Sequence, residues 1–105
     1  TIPRFLPENW PSNLALVDQF NAIAAAEGVT PAQLSLAWVL SRGDHVVTIP
    51  GTGHIDHMAE NIARWQWQPS AAVLAQLEQL INQHTVVGDR YADTMKVHVS
   101  TEDFV

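Results

Sequence analysis

The chain contains no cysteine, which excludes disulfide staples, thiolate zinc sites and dithiol redox chemistry. Basic residues are scarce: five Lys and Arg stand against eleven Asp and Glu, a formal net charge of −6 at pH 7. That balance leaves no positive face for sequence-independent phosphate contacts, so no nucleic-acid partner is expected. No run of about 18 apolar residues occurs, so no helix is expected to span a membrane. Thr1-Ile2-Pro3-Arg4-Phe5 lacks the basic start and apolar stretch of a signal peptide, and a cytoplasmic location is the expectation. What remains is a chain of 105 residues, 47% of them hydrophobic. This is the single-domain range, with enough apolar material for a core that needs no metal.

Local signals divide the chain. Residues 1–11 read as a lead-in loop, because Pro3 and Pro7 remove backbone donors. From Ser12, a candidate N-cap, Leu16, Phe20 and Ile23 recur at helical spacing until Gly28, which predicts a helix over 13–27. Thr30-Pro31 repeats a start signal and Gly43 a stop, for a helix over 31–42. Its Leu34, Leu36, Ala37, Trp38, Val39 and Leu40 are apolar nearly all round, so it is expected to be covered on more than one side. Val46, Val47, Thr48 and Ile49 are all β-branched and run into Pro50-Gly51-Thr52-Gly53, which predicts a buried strand over 45–49 ending in a turn. Ile55, Met58, Ala59 and Ile62 then form a helical stripe over 54–63, with Asp56 in the favourable first turn. Trp65-Gln66-Trp67-Gln68 alternates, consistent with pairing or with lying flat on a surface. Ser70 caps a last helix, expected to end near His84, whose apolar face is Val73, Leu74, Leu77, Leu80 and Ile81. Residues 85–105 show no clear periodicity.

The inventory is mostly helical with one strand, and one strand cannot satisfy its own backbone edges. The expected fold is therefore part of a larger α/β architecture. The chemistry concentrates in 46–61. A glycine-containing turn between a strand and a helix N-terminus presents unpaired N–H groups and the positive dipole end to an anion. Gly51 and Gly53 permit close backbone approach, and the Thr52 hydroxyl can donate to a phosphate oxygen. The same pattern also occurs as a turn and nothing more.

Ile49-Pro50-Gly51-Thr52, with Glu60-Asn61 on the following helix and Thr30-Pro31-Ala32-Gln33-Leu34-Ser35-Leu36-Ala37-Trp38-Val39-Leu40 before it, resembles the C-terminal part of an aldo-keto reductase. Pro3-Arg4-Phe5, Glu8-Asn9 and Gly88-Asp89-Arg90-Tyr91 resemble one bacterial and plant branch of that family. The resemblance implies a single partial domain from the end of a (β/α)8 TIM barrel. Residues 12–64 would be its last helix-strand-helix region, 65–84 an extra C-terminal helix, and 85–105 a tail that helps close the substrate pocket. It further implies an NADP cofactor, with Pro50, Gly51, Thr52, Gly53, His54 and His57 around the 2′-phosphate and Glu60 and Asn61 toward the adenine. Arg90 and Tyr91 would reach the substrate. Where many members carry Lys or Arg at the turn, this chain has Gly51, Gly53, His54 and His57, so NAD is an alternative cofactor. The family's catalytic Tyr, Asp, Lys and His motifs do not occur here; Tyr91, the only tyrosine, lies in the tail.

Other groupings have plainer readings. His54 and His57 share a helical face, but no third ligand is evident and no metal is expected. Asp44-His45 reads as a solvated turn rather than a dyad. Trp38 is expected in the core, whereas Trp65 and Trp67 fit either packing or exposed surface. Two functions stay open. One is the cofactor-binding end of a reductase of aldehydes or ketones, not competent alone. The other is a non-enzymatic barrel module that self-associates or docks on a complementary chain, with a rearranged or swapped fold open to it.

Overall fold

Helix boundaries follow local capping chemistry, and most of it was legible in advance. The computed structural model describes residues 2–100. Helix α1 spans Trp10–Ala26, α2 Pro31–Leu40, α3 Ile55–Ala63, α4 Ala71–Leu80 and α5 Asp93–Lys96, with single 3-10 turns at Pro3–Phe5 and Arg64–Gln66. Gly28, at φ +69°, closes α1: its N–H bonds Ala25 O and the next N–H, of Val29, bonds Ala24 O, both at 3.1 Å. That Schellman pair satisfies two carbonyls that would otherwise lack partners and turns the chain. Helix α2, at 90° to α1, starts in a reciprocal cap: Gln33 N–H bonds Thr30 Oγ1 at 3.2 Å, and Thr30 N–H bonds Gln33 Oε1 at 3.0 Å. Pro31 at the first helical position loses no bond there. Ser70 caps α4 through Val73 N–H at 3.2 Å.

Four expectations are corrected. Helix α1 begins at Trp10, with Asn9 at its N-cap, so Ser12 lies inside the first turn. Leu6 O accepts from both Asn9 N–H and Trp10 N–H, which coils the lead-in directly into the helix. Helix α2 ends at Leu40, two residues early. Helix α4 stops at Leu80 rather than near His84. Asn82 is the cause: its side-chain amide donates to Glu78 O at 2.9 Å, and its Oδ1 accepts from His84 N–H at 2.9 Å. A side chain that bonds nearby backbone in this way competes with helix continuation.

The fourth correction is the strand. His45 lies in a turn and residues 46–49 have no regular structure; no strand occurs among the described residues. A β-branched run favours a strand, but a ladder also needs a neighbour with free N–H and C=O groups. None is present, and Val47 and Ile49 are 80% and 94% exposed instead of buried.

The core lies between α1, α2 and α4, where Ile23, Ala24, Leu34, Val73 and Leu77 are buried and Phe20, Val29, Trp38, Trp67 and Leu80 pack against them. Trp38 is thus a packing residue, as expected, and of the two later tryptophans Trp67 joins the core while Trp65 faces outward. Helix α3 packs against α2 on the other side. The tail returns to the lead-in through a polar clasp. Arg4 Nε donates to Gly88 O at 3.1 Å, Asn13 Nδ2 donates to Val87 O at 2.7 Å, and Val87 N–H donates to Asn13 Oδ1 at 2.9 Å. The radius of gyration is 15.3 Å, above the roughly 13 Å of a compact chain of this length. Residues 45–65 form a largely exposed flank.

Candidate functional site

That open flank carries the turn. The chain bends at Gly53, and α3 begins at Ile55 with His54 as an N-cap that makes no side-chain bond. The first intrahelical donor is Met58 N–H, to His54 O at 3.1 Å, so the preceding N–H groups have no partner within the helix. Thr52 shapes the turn: its Oγ1 accepts from His54 N–H at 3.1 Å and lies 3.2 Å from His54 O, to which it donates. The hydroxyl is therefore engaged within the turn. Gly51 and Gly53 have ordinary backbone angles, and an added Cβ at either would meet only open space.

His54 and His57 stack edge to face, with ring centroids 5.0 Å apart. No group of three metal-ligating side chains occurs among the described residues. On the far side of α3 the Glu60 backbone carbonyl accepts from Gln33 Nε2 at 2.9 Å, which fixes the register of α3 on α2.

A cavity of about 340 Å³ lies between α2, the 48–52 segment and α3. Pro50, Thr52 and Asn61 line it together with Thr48, Arg64 and Trp65. Gly51, Gly53, His54, His57 and Glu60 are not among its lining, and Arg90 and Tyr91 lie outside it, the Arg90 guanidinium instead sitting 5.3 Å from the Tyr91 ring. The structure thus joins the turn to Asn61 and leaves the tail pair apart from them.

Arg64 escaped the sequence reading. It is only 7% exposed, its Nε is buried without a hydrogen-bond partner, and no ion pair forms with it among the described residues. Its nearest electron-rich neighbour is the Trp65 ring, 5.4 Å from Cζ. The signal available in advance was spacing: Arg64 follows Asn61 by three residues, on the same helical face.

Comparison with known proteins supplies the remaining information. Residues 2–82 match the model described as the Aldo/keto reductase family. An aldo-keto reductase of Schizosaccharomyces pombe, yakc, whose name carries NADP(+), is 38% identical over 89 residues, 85% of this chain and 26% of the relative. The chain therefore spans about a quarter of that curated relative. No solved structure matches it significantly.

Proposed function

This chain belongs to the aldo/keto reductase family, and from that premise we propose that it is the C-terminal, dinucleotide-holding portion of a (β/α)8 barrel that reduces aldehydes or ketones with NADP. The observation that carries the reading is the α3 N-terminus: it lacks a side-chain cap, is exposed to solvent and follows an exposed segment without regular structure. In barrels of this kind ligands bind beyond the carboxyl ends of the strands, where helix N-termini favour anionic groups. The name of the fission-yeast relative supports NADP in particular.

Thr52, Asn61 and Arg64, whose Nε lacks a partner, line one cavity, a polar set that suits an anionic group. In this reading the N–H groups at the start of α3 and the turn hold the adenosine end, and Glu60 and Asn61 address the adenine, Asn61 being able both to donate and to accept. When bound, the dinucleotide supplies hydride chemistry. This chain's part is to bind and orient, because the family's Tyr, Asp, Lys and His motifs do not occur in it.

Titration of NADPH and NADH against the chain, followed by tryptophan fluorescence, tests the reading. Saturable binding of NADPH is expected; no binding of either at about millimolar concentration, a free energy near −4 kcal/mol, overturns it. Carbonyl-dependent oxidation of NADPH by this chain alone would contradict its assignment as a binding portion.

A second reading has an observation of its own. Val47, Ile49, Ile55, Met58, Ile62 and Trp65 are all exposed along one stretch of chain, and apolar surface of that extent marks contact with another polypeptide. A module that self-associates or docks on the rest of a barrel would cover it. Light scattering decides: a monodisperse monomer of 11.6 kDa with ordinary stability argues against a need for partners.

A further inference from the structure

Helix α3 is held at one place. Its residues 55–59, 62 and 63 are exposed, and only Glu60 and Asn61 are half-buried. There the side chain of Gln33 reaches across from α2, its Nε2 donating to Glu60 O at 2.9 Å. Among the described residues no other hydrogen bond or ion pair joins residues 54–63 to another helix. The bond meets a need at each end. Glu60 O is one of the last four carbonyls of α3, which a helix alone leaves without partners, and Arg64 N–H, the donor that a continued helix would bring to it, goes to Ile62 O instead. On the other side, Gln33 Oε1 is fixed by Thr30 N–H at 3.0 Å in the cap of α2. The carboxamide therefore cannot turn without giving up both bonds. The residue after the tied carbonyl is Asn61, which lines the cavity with Pro50 and Thr52.

We propose that Gln33 is a positioning residue for base recognition: by holding the Glu60 carbonyl it fixes where Glu60 and Asn61 stand relative to the turn, without itself touching the nucleotide. The inference rests on the dinucleotide reading above and adds to it the residue that gives the base-facing pair a single geometry. Telling one base from another needs an acceptor held at hydrogen-bond distance and angle from the exocyclic amine of adenine, and such bonds weaken steeply when misplaced. A site built around that amine rejects a base that carries a carbonyl in its place, because the acceptor is then left unpaired. A carboxamide suits the task because one planar group offers an acceptor to the cap of α2 and a donor to α3. A carboxylate at the same position keeps the first and loses the second.

Calorimetric titration of the chain with 5′-AMP and with 5′-IMP, which carry the same charge and differ only in the base, tests this on wild type, Gln33→Glu, Gln33→Met and Thr30→Val. Wild type is expected to prefer 5′-AMP about tenfold. Gln33→Glu loses the donor to α3 and Gln33→Met loses both bonds, and each is expected to bring the preference within about twofold. Thr30→Val removes a hydroxyl from the same cap but leaves the tie, so it is expected to lower the urea midpoint and keep the preference. If the Gln33 variants weaken both nucleotides alike, or Thr30→Val loses the preference as they do, Gln33 only supports the fold. Either result overturns the proposal, as does an unchanged preference in the Gln33 variants. Should those variants fail to fold, exchange of the Gln33 Nε2 protons in wild type decides. Coupling is reciprocal, so exchange is expected to slow with 5′-AMP and not with 5′-IMP; equal slowing or none counts against the proposal. If wild type binds both nucleotides equally, the dinucleotide reading stands and the role of Gln33 falls. If it binds neither, both fall.

Discussion

The side chain of Gln33 joins two helices: its Nε2 donates to the Glu60 carbonyl at 2.9 Å while its Oε1 accepts from Thr30 N–H at 3.0 Å. One residue thus closes the cap of α2 and sets the position of α3, on which Glu60 and Asn61 stand. Gln33→Ala removes both bonds and is expected to cost about 1–2 kcal/mol in urea unfolding. Gln33→Glu can still close the cap but has no donor for Glu60, so about half that loss is expected. A Gln33→Glu protein as stable as wild type would show that the tie to α3 contributes nothing.

The contrast between core and flank gives a second prediction. Leu34 is fully buried, at 0% exposure, and Leu34→Ala should cost about 2–5 kcal/mol. Ile49 is also apolar, but it is solvent-facing, and Ile49→Ala should stay within about 0.5 kcal/mol of wild type. Equilibrium unfolding of the two variants checks both, and a large loss at Ile49 would mean that the segment is covered in solution.

Gly88 closes the clasp between tail and lead-in with φ +84°, and a Cβ there would sit 2.8 Å from Asn9 Nδ2 and 3.0 Å from the Pro3 carbonyl. Gly28 has φ +69° but open space around it. Gly28→Ala should therefore cost about 1 kcal/mol, the left-handed penalty alone. Gly88→Ala should cost about 2–3 kcal/mol, because a steric clash adds to that penalty. It should also speed amide exchange at Val87, whose N–H bonds Asn13. Equal melting temperatures for the two variants would contradict the clash.

Lys96 Nζ lies 2.6 Å from Asp89 and 2.8 Å from Asp93. Its hydrogen bond and charge hold the Asp89 carboxyl below the ordinary value of 3.8, and the hydrogen bonds of Asp89 and then Asp93 raise Lys96 above 10.5. A depressed carboxylate contributes above its unfolded pKa and loses that contribution as pH falls through its folded one. A raised ammonium contributes below its unfolded pKa and loses it as pH rises through its folded one. The pairing at α5 is therefore complete between the two ordinary values and loosens outside them. In a carboxyl NMR titration Lys96→Gln should return the Asp89 midpoint toward 3.8; an unmoved midpoint would show that the pairing does not persist in solution.

Much of the helical layout was legible because its signals are local. Thr30 with Gln33, Ser70 and Gly28 each act within a few residues, and the helices they bound appear within one to three residues of the expected starts. Where a boundary was missed, a side chain had chosen between competing local bonds, as Asn82 does at the end of α4. The site was legible in part. Pro50, Thr52 and Asn61 line one cavity, whereas the tail pair Arg90 and Tyr91 does not join them. Arg64 was hidden because its significance lies in a missing partner, and whether Glu60 pairs with it depends on how α3 is held against α2.

The sequence by itself determined the order of helices, the turn after Ile49 and the family to which these residues belong, since caps, glycines and motif spacing are properties of neighbouring residues. Only the tertiary structure decided that residues 45–49 form no strand, because pairing needs a second chain segment that intrinsic propensity cannot supply. It also decided that Arg64, whose Nε is buried without a partner, lines the same cavity as Thr52 and Asn61. The low count of basic residues is sharpened accordingly: Arg64, one of five Lys and Arg, reaches the same cavity as Thr52 only once α3 is folded against α2.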